Sequence, residues 1–130
     1  MVNPMNAVDI QATARTPLIC FKPEEGLFLL EGESYPEDTK KFYDAPLANV
    51  YAYLKQEGLQ PSKFVFRLKY FNSSSAKVLM DLFVAIEESA NAGNAMSVEW
   101  HHAEDDDNMQ ELGEEFSEEL QTAKFALMTF

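Results

Sequence analysis

The chain has 130 residues, of which 22 are acidic and 10 basic, for a formal charge of −12. That length fits one compact domain spanning residues 1–130, large enough to hold a core without disulfide or metal. The charge repels phosphate backbones and anionic lipid, and no stretch approaches the roughly 20 apolar residues of a membrane span, which argues against nucleic acid and membranes as partners.

Residues 1–15 have no clear period and are expected to form a loosely ordered lead-in. They also lack the basic-then-apolar order of a secretory signal, so a cytoplasmic location is expected. Leu18-Ile19-Cys20-Phe21 and Leu27-Phe28-Leu29-Leu30 are apolar runs joined by a polar link with Pro23 and Gly26, which predicts an antiparallel hairpin. Cys20, the single cysteine, has no basic neighbour in sequence and reads as a buried hydrophobe. Ser34-Tyr35-Pro36-Glu37-Asp38 has the early proline and acids of a helix start. Tyr43, Leu47, Val50, Tyr51 and Leu54 then follow helical spacing toward Gly58 and Pro61. Pro46 falls inside that pattern and is expected to divide a short turn from a main helix beginning near Ala45.

Lys63 to Phe71 is the clearest strand. Strict alternation would put Phe64, Phe66, Leu68 and Tyr70 on one face and Val65, Arg67, Lys69 and Phe71 on the other. Asn72-Ser73-Ser74-Ser75 interrupts it, and Leu79, Leu82, Phe83, Ile86 and Ala90 then recur at helical spacing up to Asn91-Ala92-Gly93-Asn94. Met96 to Trp100 is a further strand, expected to run parallel to the one before it. An acidic loop leads to a helix with Met109, Leu112, Phe116 and Leu120 on one stripe, and Phe125 to Phe130 closes the chain as a strand. The summed order is β-β-α-β-α-β-α-β, an α/β (α+β) domain with a mixed sheet of about five strands and three helices in two layers.

The three serines lie between the end of a strand and the start of the best amphipathic helix. Loops at the carboxyl ends of parallel strands favour function, and a helix start favours anions such as phosphate. A phosphoryl group there would bring about −1.5 to −2 charge and three acceptors. Asn and Ser are equally the preferred helix caps, so composition alone leaves phosphoacceptor and plain cap both open. His101-His102 with Glu104, Asp105, Asp106 and Asp107 invites a metal reading. Adjacent residues on a strand face opposite ways, however, and acids are expected at a helix start, so no metal site is assigned. No phosphate-binding glycine loop, hydrolase elbow or zinc-helix motif is present, and neither enzyme activity nor a cofactor is expected.

The run Leu68-Lys69-Tyr70-Phe71-Asn72-Ser73-Ser74-Ser75-Ala76-Lys77 resembles the LxYFN(T/S)SSxK signature of the SiaC-family regulatory phosphoproteins of bacteria. Phe21 to Gly26, Gly32 to Glu37, Ala92-Gly93-Asn94, and Val98 to His101 with Glu104 to Met109 resemble further family landmarks in the same order. The resemblance implies a STAS-like fold, similar to the anti-sigma-factor antagonists. It also implies an ATPase-type serine/threonine kinase that modifies the hydroxyl directly after the Asn, and a PP2C-like phosphatase that removes the phosphate. The unphosphorylated form would bind and activate a diguanylate cyclase, raising cyclic di-GMP and influencing biofilm formation. By position the acceptor is Ser73, where the family often has Thr, with Ser74 the alternative if the register is one off. Asn72, Ser74, Ser75 and Lys77 would complete the phosphosite loop and partner-binding surface. The competing reading is a constitutive STAS-like interaction module whose serines are only caps.

Overall fold

The computed structural model describes residues 7–130. Strands β1 (Val8–Ile10), β2 (Leu18–Lys22), β3 (Leu27–Ser34), β4 (Ser62–Phe71), β5 (Met96–His102) and β6 (Lys124–Thr129) form one six-stranded sheet in sequential order. Helices α1 (Thr39–Leu54), α2 (Ser73–Asn91) and α3 (Asp107–Ser117) connect β3 to β4, β4 to β5 and β5 to β6. Those four strands run parallel, whereas β2 is antiparallel to both its neighbours. Among the described residues, no helix is long and apolar enough to cross a membrane.

The mixed sheet with three helices matches expectation, but it has six strands rather than about five. The added strand falls in the expected loose lead-in: Val8 pairs with Phe21 and Ile10 with Ile19. Three residues are too short for a periodic signal, and the ladder offered by β2 supplies the order instead. The first six residues of that lead-in lie outside the described residues.

All three helices lie on one face of the sheet. Ile19, Phe21, Phe28, Leu30, Phe64, Phe66, Val98 and Trp100 are aligned by cross-strand register and are buried on that face. They meet Tyr53 of α1, Phe83 of α2 and Phe116 of α3 at ring-centroid distances of 5.2–5.4 Å for Phe21–Tyr53, Phe66–Phe83 and Trp100–Phe116. The opposite face is uncovered by helices, and there Lys63 and Arg67 pair across strands with Glu99 and Glu31 at 3.0 and 3.6 Å. Lys63 and Arg67 of β4 are thus locally neutralised.

Three local expectations fail. Tyr70 is exposed and Phe71 is buried, the reverse of strict alternation. Gly32 pairs with Leu68 but Glu33 pairs with Tyr70, so Lys69 is an extra residue in the ladder. Such a bulge reverses every side chain beyond it. Phe71 enters the core 6.1 Å from the Trp100 ring, and Tyr70 stacks edge-on against Tyr35 at 5.7 Å.

Pro46 does not divide α1, which starts at Thr39 behind an Asp38 cap and runs through the proline. The missing backbone bond costs about 3 kcal/mol. A break near Ala45 would remove Tyr43 from the stripe it shares with Leu47, Val50 and Tyr53, all buried. Each large buried side chain contributes roughly 1.5–3 kcal/mol, so the continuous helix wins. Ser34, read as part of a helix start, is instead the last residue of β3.

Gly113 brings α3 onto Trp100, whose Nε1–H donates to the Met109 carbonyl at 3.0 Å. A Cβ at Gly113 would sit 2.6 Å from Trp100 Nε1. Gly113→Ala is expected to lower the urea midpoint by an amount equivalent to about 1–3 kcal/mol, because the closely packed indole has no room to retreat. An unchanged midpoint would show that α3 is less tightly seated than this packing implies.

Candidate functional site

Asn72 ends the bulged strand and caps α2. Its backbone is extended, and its side-chain Oδ1 accepts the backbone N–H of Ser75 at 2.9 Å. Its own N–H donates to the Ser34 carbonyl at 3.0 Å, which ties the cap to the end of β3. Ser73, Ser74 and Ser75 therefore form the first turn of the helix rather than a loop before it. Free backbone N–H groups and the positive dipole end meet there.

The three hydroxyls have different surroundings. Ser75 is buried, and its Oγ lies 2.7 Å from Ser34 Oγ, which in turn lies 2.5 Å from the Tyr43 hydroxyl. Ser34, Tyr43 and Ser75 are 0%, 3% and 1% exposed, so this chain of three hydroxyls is shielded from water. Ser74 is exposed; its hydroxyl donates to Asn72 Oδ1 at 3.1 Å and shares a 2.6 Å bond with Thr39 Oγ1, the first residue of α1. Ser73 is exposed, and among the described residues no side chain bonds its hydroxyl. Lys77 is exposed one turn further along α2.

The sequence-predicted residues Asn72, Ser73, Ser74, Ser75 and Lys77 are therefore gathered at one helix start, but of the three serines only Ser73 has an oxygen that no side chain among the described residues engages. Ser75 is unavailable for modification because it is part of the packed joint between β3, α1 and α2. Burial pushes the Tyr43 hydroxyl pKa up to about 12, despite hydrogen bonds from Ser34 and Ser75 that act the other way. Sequence reasoning missed Thr39, Ser34 and Tyr43 as parts of the site. Ser34 carried one signal: it falls on the inward side of the alternation of Phe28 and Leu30, and a buried serine demands a partner. Thr39 carried none, since its bond spans 35 residues.

Thr39, Ser74 and Lys77 also border a groove of about 540 Å³ between α1 and α2, walled by Leu47, Ala48, Tyr51 and Val78. The second sequence candidate does not assemble. His102 is buried with Nδ1 2.8 Å from the Ala103 carbonyl, whereas His101 faces the other side, 3.0 Å from Glu99. Asp106 caps α3 by accepting the Met109 N–H at 3.0 Å. Among the described residues, no group of three or more His, Cys, Asp or Glu side chains is gathered as a metal site.

Residues 10–130 match the SiaC family regulatory phosphoprotein description. An uncharacterised protein of Pseudomonas aeruginosa strain UCBPP-PA14 is 32% identical over 115 residues, covering 88% of this chain and 90% of that protein. The crystal structure of apo-SiaC from Pseudomonas aeruginosa superposes with a TM-score of 0.85 at 33% identity, covering 95% of this chain and 99% of the other. A chain in the crystal structure of diguanylate cyclase SiaD in complex with its activator SiaC, from the same organism, gives a TM-score of 0.87 at 31% identity over 95% of this chain and 99% of the other.

Ser34 is the node of the buried hydroxyl chain, and its removal leaves two partners unsatisfied. Ser34→Ala is expected to cost about 2–4 kcal/mol in chemical denaturation, against about 1 kcal/mol for Tyr43→Phe or Ser75→Ala, which each leave one bond of the chain intact. Equal losses for all three would contradict the network. The Tyr43 proton also links folding to pH. The unfolded chain releases it near pH 10 and the folded chain only near 12, so this stability is fully present below pH 10 and is lost as pH rises toward 12. Denaturation curves across that window should fall more steeply for the parent than for Tyr43→Phe, a difference on the order of 2 kcal/mol.

Proposed function

The chain belongs to the SiaC family of regulatory phosphoproteins, and on that premise we propose that it is a phosphorylation-gated activator of a diguanylate cyclase. The unphosphorylated form binds and activates the cyclase in the cytoplasm, raising cyclic di-GMP and with it biofilm formation. An ATPase-type serine/threonine kinase places phosphate on Ser73, which ends binding, and a PP2C-like phosphatase removes it. The chain acts by binding and is not itself an enzyme.

One observation carries this reading: Ser73 is exposed at the first position of α2, with no side-chain partner among the described residues, while its two neighbours are engaged. A kinase can reach that oxygen without unfolding the helix. The added phosphate, about −1.5 to −2 in charge, meets the positive end of α2 and lies within a turn of Lys77. Stabilised in this way, it leaves the helix formed and changes the surface alone. A partner face that packs on a neutral serine then has to desolvate a dianion. The relationship to a family member solved as the activator in a complex with diguanylate cyclase supports the cyclase as that partner.

Incubation with the kinase and ATP should add one phosphate by intact mass, and Ser73→Ala should abolish it. Ser73→Asp should weaken cyclase binding by about 2–5 kcal/mol while leaving the thermal midpoint nearly unchanged, since an acid is tolerated at a helix start. If cyclase affinity is identical for Ser, Ala and Asp at position 73, the chain is a constitutive module and the serines are caps.

A further inference from the structure

Resting on the reading that Ser73 is the phosphoacceptor, we infer that Thr39 is a positioning residue that directs the phosphoryl group to Ser73 by withholding Ser74. Ser73 and Ser74 are consecutive, exposed and chemically identical, so neither access nor intrinsic nucleophilicity separates them. Their hydrogen bonds do. The hydroxyl proton of Ser74 is committed to Asn72 Oδ1, an atom that can only accept, at 3.1 Å. The 2.6 Å contact with Thr39 Oγ1 must then be a bond that Thr39 donates into a Ser74 lone pair.

Phosphoryl transfer draws on both of those features, a lone pair on the oxygen and release of its proton, and each existing bond restrains the oxygen from turning to the phosphate. The serine oxygen attacks the γ-phosphorus of ATP in line, and a new O–P bond forms. The bond from that phosphorus to the β–γ bridging oxygen breaks, ADP leaves, and the hydroxyl proton passes to a base of the kinase. At Ser74 the proton faces Asn72 and a lone pair faces α1, so the oxygen must first leave two bonds. At Ser73 nothing among the described residues has to be broken. Asn72 Oδ1 accepts both the Ser74 hydroxyl and the Ser75 N–H, and its 3.1 Å hold on Ser74 is the longer of the two bonds that engage that serine. The selecting group comes from the other helix.

The test is site-resolved mass spectrometry of the chain after incubation with the kinase and ATP. Thr39→Val, which keeps the side-chain shape and removes the donor, should retain phosphate on Ser73 and add at least ten-fold more on Ser74 than the parent shows. In a Ser73→Ala background, Thr39→Val should restore modification at Ser74. Thr39→Ser, which keeps the hydroxyl, should behave as the parent in both backgrounds. A Thr39→Val chain that carries phosphate on Ser73 alone, or none at all, overturns the role assigned to Thr39. Ser73→Ala modified at Ser74 as fast as the parent overturns both this role and the acceptor assignment. A parent chain that takes no phosphate overturns the phosphoacceptor reading and this inference with it.

Discussion

Ser34 is buried where the end of β3, the second turn of α1 and the first turn of α2 converge. Its side chain must satisfy both the Tyr43 hydroxyl and the Ser75 hydroxyl, and its carbonyl accepts the N–H of the α2 cap. A buried polar group without a partner costs about 1–3 kcal/mol, so the three elements are held together by mutual need rather than by packing alone. The position of the α2 start follows from this joint. Once Asn72 and Ser75 are fixed to β3, Ser73 has nowhere to go but outward.

Charge gives that outward position its meaning. The chain carries −12, and its first acidic residue after β4 is Asp81, two turns beyond Ser73. The α2 start combines a helix N-terminus with Lys77, while Asp44 and Asp81 line the adjacent groove and Asp38 caps α1 beside Thr39. The helix N-terminus and Lys77 favour an anion there, and a dianion is costly for any partner face that must cover it. On the proposed reading, one modification at Ser73 would switch binding without endangering the domain.

Most of the architecture was legible from periodicity. The stripe Leu79, Leu82, Phe83, Ile86 and Ala90 is buried as spacing predicts, and the hairpin and final strand fall where expected. The misreadings share a cause: a tertiary contact overrides a local rule. Lys69 is accommodated as a bulge that turns Phe71 into the core. Pro46 stays in a helix because the residues on both sides of it are wanted there. Val8–Ile10 borrows its order from β2. At the site, the polar run announced a helix start, and the resemblance singled out Ser73 as the expected acceptor. The sorting of three identical serines into buried, tethered and free was invisible, because it depends on Ser34, Tyr43 and Thr39, which are brought to the helix start only by folding.

The central claim is that phosphate on Ser73 alters the charge of a platform that does not move. Amide hydrogen exchange of the stoichiometrically phosphorylated chain, compared with the unmodified chain, tests it most directly. The account predicts that the Ser75 and Ala76 amides, which donate to Asn72, remain as protected in the modified chain as in the parent. Loss of that protection on phosphorylation would show that the first turn of α2 unwinds, and that the switch works by conformational change rather than by charge.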